Sequence, residues 1–199
     1  MNRLQGVLVL TFPLIYHCAY AQVIVFESNG LKYQTLTKSG VTIMFAHLPP
    51  HIHQYTILQV TATNGSPGPY VLRPEDFSYV RETSEVHAVA AKTVIQMLME
   101  KGSGSDVIKL VTAYETWISG IPDYHPTSGY EQRRQSALGM GASRLRSAAA
   151  ASAIAFVQTR LATGESTDGA VFFASKGKPL VGGRLVVRTN TDVFEFNEE

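Results

Sequence analysis

The sequence has a single cysteine, Cys18, and no apolar run long enough to cross a bilayer, which needs about 20 residues. It also has little net charge, because 17 basic residues stand against 16 acidic ones. That balance leaves no overall field to attract nucleic acid or an acidic membrane surface. These absences predict a fold without disulfides, a mature chain without a transmembrane segment, no nucleic-acid partner and no cofactor.

The first 21 residues have the order of a secretory signal peptide. Arg3 gives a positive start, a mostly apolar stretch covers residues 4–15, and Ala19-Tyr20-Ala21 supplies the small residues that precede a cleavage site. Two alternatives stay open: a lipid anchor at Cys18, which the bulky residues before it disfavour, and an uncleaved anchor. We therefore expect a periplasmic or secreted chain over residues 22–199, which has no cysteine for thiol catalysis.

Short segments rich in β-branched residues occupy both ends of the mature chain. Several alternate in period two, and the cluster Asn64-Gly65-Ser66-Pro67-Gly68-Pro69 is a strong turn signal. Such spacing is typical of antiparallel sandwiches. The predicted strands are Val23–Phe26, Leu31–Leu36, Val41–Ala46, Tyr55–Thr63, Tyr70–Leu72, Phe77–Val80, Ala170–Ala174, Gly183–Thr189 and Asp192–Phe196.

The middle of the chain changes to a helical period. Apolar residues there recur at spacings of three and four, and Gly/Ser clusters separate the segments. Four successive alanines, 148–151, favour a helix and allow a neighbour to pack closely. The predicted helices are Val86–Lys101, Ser105–Ser119, Tyr130–Leu138 and Ser143–Phe156.

Three stretches carry a resemblance to a known kind of protein. The segments Leu161–Phe173, Val60–Ser66 and Leu72–Phe77 resemble strand and corner patterns of bacterial extracellular immunoglobulin-like sandwiches, and the whole is similar to uncharacterised exported bacterial proteins. The resemblance implies an immunoglobulin-like antiparallel β-sandwich, and the helical block departs from an ordinary sandwich of this kind. Because the chain returns to strands after the helices, we expect an α+β chain with one such sandwich domain over residues 22–199, interrupted by a helical insertion at about 86–157. It implies no particular function.

The histidines are the first candidates for chemistry. His47, His51 and His53 fall within seven residues, and three imidazoles that close together could hold zinc or copper. The segment that follows, Gln54–Thr63, lacks the carboxylate of a cupin-type site. A polar loop between two strands is the simpler interpretation, and metal binding or a metal-dependent enzyme is the alternative.

Carboxylates and serines give weaker signals. Glu165 and Asp168 lie beside Ser166 and Thr167, where a turn that hydrogen-bonds its own backbone is expected, with weak calcium binding or catalysis as alternatives. The serines at 103 and 105 lack the Gly-x-Ser-x-Gly pattern of a nucleophile and are predicted to serve a helix start.

The helical insertion is the part that a plain sandwich does not need, so we look there for specificity. Its aromatic residues either pack the insertion onto the sheets, which we expect, or form an exposed binding patch. Its arginines, at 133, 134, 144 and 146, are expected to form a solvated helix face, with an anionic surface partner or an acidic partner within the chain as the alternatives. The candidate partner-binding residues are Trp117, Tyr124, Tyr130, Arg133 and Arg134.

The sequence thus favours an exported, non-enzymatic binding or interaction module with a protein or cell-surface partner. One alternative is a metal-binding protein or metal-dependent enzyme that uses the three histidines. A second is a structural subunit of a cell-surface assembly, held by sheet edges.

Overall fold

The structure is a computed structural model that describes residues 22–49, 51–121 and 130–197. The expected signal peptide and the candidate Tyr124 lie outside these residues. Eleven strands occur in the described part: β1 Ile24–Ser28, β2 Leu31–Lys38, β3 Val41–His47, β4 Tyr55–Asn64, β5 Tyr70–Leu72, β6 Phe77–Arg81, β7 Ser84–Val89, β8 Thr159–Leu161, β9 Ser166–Ala174, β10 Arg184–Arg188 and β11 Val193–Asn197. Between β7 and β8 the described residues form four α-helices: α1 Ala91–Lys101, α2 Gly104–Ser119, α3 Tyr130–Leu138 and α4 Ser143–Ile154.

Nine strands form one antiparallel sheet in the order β1-β2-β3-β4-β9-β7-β6-β10-β11, and β5 pairs with β8 separately. The sheet curls into a half-barrel. Its two ends approach each other. The rings of Phe45 on β3 and Phe196 on β11 pack edge to face, with their centroids 5.0 Å apart. The Lys38 ammonium also donates a hydrogen bond to the Val193 carbonyl at 3.0 Å. The expected α+β class with an antiparallel sheet is confirmed.

Strand β4 lies at the centre of the chain's packing and is buried on both faces. Successive side chains of a strand point to opposite faces. Val60 and Ala62 therefore pack inside the curl, whereas Tyr55 and Ile57 pack against the helices. Its β-branched residues suit this position, because they pack well against neighbouring side chains on a pleated surface.

The interior of the curl joins the two ends of the chain. Val41 and Val60 from the first half share one buried cluster with Phe173 and Phe194 from the second half. The C-terminal strands therefore complete the same core as the N-terminal strands, as the sequence led us to expect, with the helices inserted between them.

The helices cover the outer face of β2, β3, β4 and β9. Tyr33, Ile57 and Phe172 from the sheet pack there in one buried cluster with Leu110 and Ile154 from the helices. Helix α4 contacts each of α1, α2 and α3. Its residues Ala150 and Ala151 are buried, which confirms that the alanine run serves close packing.

Three boundaries differ from the sequence prediction. Residues Ser84–Val89 form β7 rather than the start of a helix, so the helices occupy 91–154 instead of 86–157. Helix α2 begins after Ser103, whose hydroxyl accepts from the Asp106 N–H, and not after Ser105. Strand β9 begins at Ser166 because Ser166, Thr167 and Asp168 pair with β4.

Candidate functional site

Two of the three candidate histidines share a cavity of about 330 Å³ at one end of the sheet. His47 ends β3, and His51 follows it in the turn that leads to β4. The opposite wall comes from the loop after β9. The cavity is lined by His47, Leu48, Pro49, His51, Thr56, Gly177, Pro179, Leu180 and Val181.

His53 is directed elsewhere. It adopts a left-handed backbone conformation, with φ of 51°, and its Nε2 lies 3.3 Å from Oδ2 of Asp106 at the start of α2. Among the described residues no group of three histidine, cysteine or acidic side chains is arranged to hold a metal ion. The structure therefore brings His47 and His51 together but not the three-histidine set that the sequence suggested.

Asp106 is held as an anion by the helix start. Burial raises the pKa of this carboxyl, whereas hydrogen bonds from the Ser103 hydroxyl and backbone N–H and the interaction with His53 lower it. Together the lowering contributions outweigh burial, so the pKa of Asp106 lies below its ordinary value. Both Ser103 bonds to Oδ2 measure 2.8 Å. This capping box fixes the end of α2 that faces the histidine turn.

The aromatic candidates of the insertion are buried. Trp117 is 0% exposed and Tyr130 is 2% exposed, and both belong to the helix–sheet core. The ring of Tyr114 packs against both: its centroid lies 6.1 Å from that of Trp117 and 4.0 Å from that of Tyr130. Tyr33 on β2 donates to the Trp117 carbonyl at 3.0 Å. These rings pack the helices onto the sheet, so they offer no exposed aromatic patch.

The two arginine candidates are engaged within the insertion. Arg134 forms an ion pair with Glu115 on α2, in which Nε of Arg134 lies 2.6 Å from Oε1 of Glu115. Arg133 on α3 donates from Nε and Nη2 to the Ala153 carbonyl near the end of α4, at 3.2 and 3.0 Å. Burial, followed by the charge of Glu115, raises the pKa of Tyr130 beside them. Both guanidinium groups thus hold helices together.

An open groove runs between α3 and α4. Its volume is about 330 Å³, and its walls consist mainly of small residues. Met140 at one end is 40% exposed, and the nearby Leu138 and Leu145 are 40% and 47% exposed. The groove is lined by Gln132, Arg133, Ser136, Ala137, Met140, Ala149, Ser152 and Ala153.

A buried polar cluster lies under α2, where the sequence predicted none. Asp168 lies on β9 directly opposite Thr61 of β4, and Gln59 lies on the same face of β4. The hydroxyl of Tyr114 donates to Oδ2 of Asp168. Oδ1 of Asp168, Oγ1 of Thr61 and the amide of Gln59 have no hydrogen-bond partner among the described residues. Polar residues in strands that are otherwise apolar were the available signal.

Asp168 therefore does not act in a turn as expected, whereas Glu165 does. Oε2 of Glu165 accepts a hydrogen bond from the Ala162 N–H at 2.7 Å, which closes the turn before β9. The two carboxylates lie on different sides of this strand start, one exposed and one 5% exposed. The expected pair is thus divided between turn and core.

Comparison with family models, with curated proteins and with solved structures finds no match to this chain. None of the helices within 22–49, 51–121 and 130–197 has the length and hydropathy required to span a membrane.

Proposed function

We propose that this chain is an exported, non-enzymatic binding module that recognises an acidic protein segment through the groove between α3 and α4. The observation that carries the proposal is the groove itself. It is open, it is walled by small side chains, and exposed Met140 lies at its edge. Surfaces that combine apolar contact with arginine are typical of protein interfaces.

The charge of the two helices favours an acidic partner. From Tyr130 to Ile154 there are four arginines and one acidic residue, Glu131. Arg133 and Arg134 hold the helices in place, whereas Arg144 is exposed at the start of α4. The side chain that we expect to meet a partner's carboxylate is therefore Arg144, which replaces Arg133 and Arg134 in that role.

Export and the finer fold belong to the same proposal. The order of charged, apolar and small residues in the first 21 positions supports a signal peptide and a periplasmic or secreted location. The contact of Phe45 with Phe196 across the curled sheet supports an immunoglobulin-like sandwich. In this proposal the sheet is a scaffold, and the inserted helices carry the binding surface.

The test uses the mature chain, immobilised and exposed to an extract of its source cells. Ser152→Trp fills the groove from an exposed position, and Arg144→Glu reverses the exposed charge. Matched controls on α2 are Ile108→Trp, at a side chain that is 67% exposed, and Lys109→Glu. We expect one protein to be retained by the wild type and by both controls, and to be released by Ser152→Trp, by Arg144→Glu and by high salt. Equal retention by Ser152→Trp and Ile108→Trp would exclude the groove as the binding surface.

Two alternatives have a specific observation in their favour. His47 and His51 line one cavity, which supports metal binding, and stoichiometric zinc or copper that is lost on replacing both residues would favour it. The edge strand β1 exposes Ile24 by 61% and Val25 by 44%, which supports a subunit of a surface assembly. A concentration-dependent oligomer in size-exclusion chromatography that Val25→Lys abolishes would favour that assembly.

A further inference from the structure

We propose that the cavity beside His47 and His51 is a binding site for a small organic anion with an apolar body, of the kind represented by a medium-chain carboxylate. This site lies on the sheet, away from the α3–α4 groove, and does not depend on the protein partner proposed above. Its volume of about 330 Å³ lies at the lower end of the range of small-molecule pockets.

The lining matches a ligand with two unlike ends. Leu48, Leu180 and Val181 offer apolar surface for a hydrocarbon body. His51 offers an imidazole N–H donor, because either neutral tautomer of histidine donates one hydrogen bond. Pockets of this composition bind by burying the apolar body and orienting the polar end.

The walls of the cavity are fixed by hydrogen bonds to β4. Oγ1 of Thr56 lies 2.6 Å from Oγ of Ser175 and donates to the Lys178 carbonyl at 3.0 Å. The Ser175 and Gly177 N–H groups donate to the Gln54 carbonyl at 3.0 and 3.3 Å. The loop that forms one wall is therefore attached at several points, and a preformed pocket loses less entropy when a ligand binds.

The charges around the cavity favour an anion. Among the described residues no carboxylate lines it, and Lys176 and Lys178 are exposed on the loop that forms one wall. Asp106 is directed to His53, which lies outside the lining. A carboxylate would thus meet the imidazole donor of His51 beside two lysines, whereas a cationic ligand would find no acidic partner among the described lining residues.

The test titrates the full mature chain with hexanoate and with 1-hexanol, which has the same body without the charge. Calorimetry should show saturable binding of hexanoate, with 1-hexanol at least fivefold weaker. His51→Ala, at an exposed side chain, should weaken hexanoate about tenfold with little effect on 1-hexanol, because it removes one donor to a charged acceptor. His87→Ala, at a histidine on β7 outside the cavity, should leave both unchanged.

A second variant tests the same cavity independently, in case His51→Ala changes the local structure. Val181→Trp places a bulky side chain at the rim from a position that is 58% exposed, and it should weaken both ligands. Hexanoate that does not saturate, or that binds His51→Ala as tightly as the wild type, overturns the proposal. Zn²⁺ that binds in a 1:1 ratio and is lost in His51→Ala, without hexanoate binding, also overturns it and establishes a metal site instead.

Discussion

Tyr114 on α2 donates a hydrogen bond to the buried carboxylate of Asp168 on β9, across 54 positions of sequence. This bond connects the inserted helices to the strand that pairs with the centre of the sheet. Neither residue is exposed to water, so no solvent molecule can replace the donor at no cost. We expect the attachment of the helices to depend on this pair.

Tyr114→Phe should lower the free energy of unfolding by about 1–3 kcal/mol, because it leaves both oxygens of a buried carboxylate without a protein donor. Urea unfolding measures the change. Tyr55→Phe is the control, since the Tyr55 hydroxyl accepts a hydrogen bond from the exposed Gln54 amide, where water can substitute. A double-mutant cycle with Asp168→Asn should show coupling between the two sites. Additive effects would mean that the bond contributes nothing.

Ser103→Ala should lower the free energy of unfolding by about 1 kcal/mol at pH 7, because it removes the N-cap of α2 and one donor to Asp106. The pKa of Asp106 is depressed in the folded state, so its contribution is present above the unfolded pKa of about 4 and is lost as pH falls through the folded value. The difference in the free energy of unfolding between Ser103→Ala and the wild type should therefore become smaller below pH 4. Ser136→Ala, at an exposed serine within α3, should be close to neutral at every pH. A gap that widens in acid would contradict this assignment.

Gly169→Ala should destabilise the protein by about 1–3 kcal/mol. A Cβ atom there would lie 2.5 Å from Cα and 2.6 Å from N of Phe156, both backbone atoms that cannot rotate away. Gly104→Ala is the matched control, because nothing lies within 4 Å of a Cβ atom there and alanine favours the helix. Thermal unfolding of the two variants should move the midpoint in opposite directions, and a shared direction would refute the steric argument.

Ala151→Leu should destabilise by about 1–3 kcal/mol, because Ala151 is fully buried where α4 approaches its neighbours. Ala149→Leu places the same side chain on the partly exposed face that lines the α3–α4 groove, so the fold should tolerate it. Binding of the proposed protein partner, by contrast, should be lost in Ala149→Leu, because the added side chain fills the groove. Chemical unfolding and the binding assay together separate packing from recognition, and equal destabilisation by both variants would show that the groove face is also core.

Much of the fold could be predicted from local patterns. The run at residues 55–64 predicts a strand because its β-branched residues end at a cluster of turn-forming residues, and the helical period predicts all four helices. Ser84–Val89 misled the prediction, because Val86 and Val89 are three apart as on a helix face. Its strand state is decided by pairing, with Tyr79 across the hairpin to β6 and with Phe172 on β9, which is remote in sequence.

The candidate site was less predictable, because exposure depends on tertiary packing. Trp117 and Tyr130 have the composition of an interface, but α2, α3 and the sheet enclose them. Asp168 follows a glycine-containing turn in the sequence, and local pattern alone therefore places it in that turn. Its pairing with Thr61 of β4 and the hydrogen bond from Tyr114 on α2 place it in the core instead. The cavity of His47 and His51 needs the loop after β9, about 125 residues later, which no local pattern could place beside them.

The inserted helices leave the sheet and return to it at nearly the same point. Val89 pairs with Phe172 and Ala155 bridges to Ala170, two positions away on β9. The helices thus occupy a single connection of the sheet, and shortening that connection would leave every strand with its neighbours. A chain without them would need polar side chains at the positions of Tyr33, Ile57 and Phe172, because the uncovered face would otherwise be an exposed apolar patch.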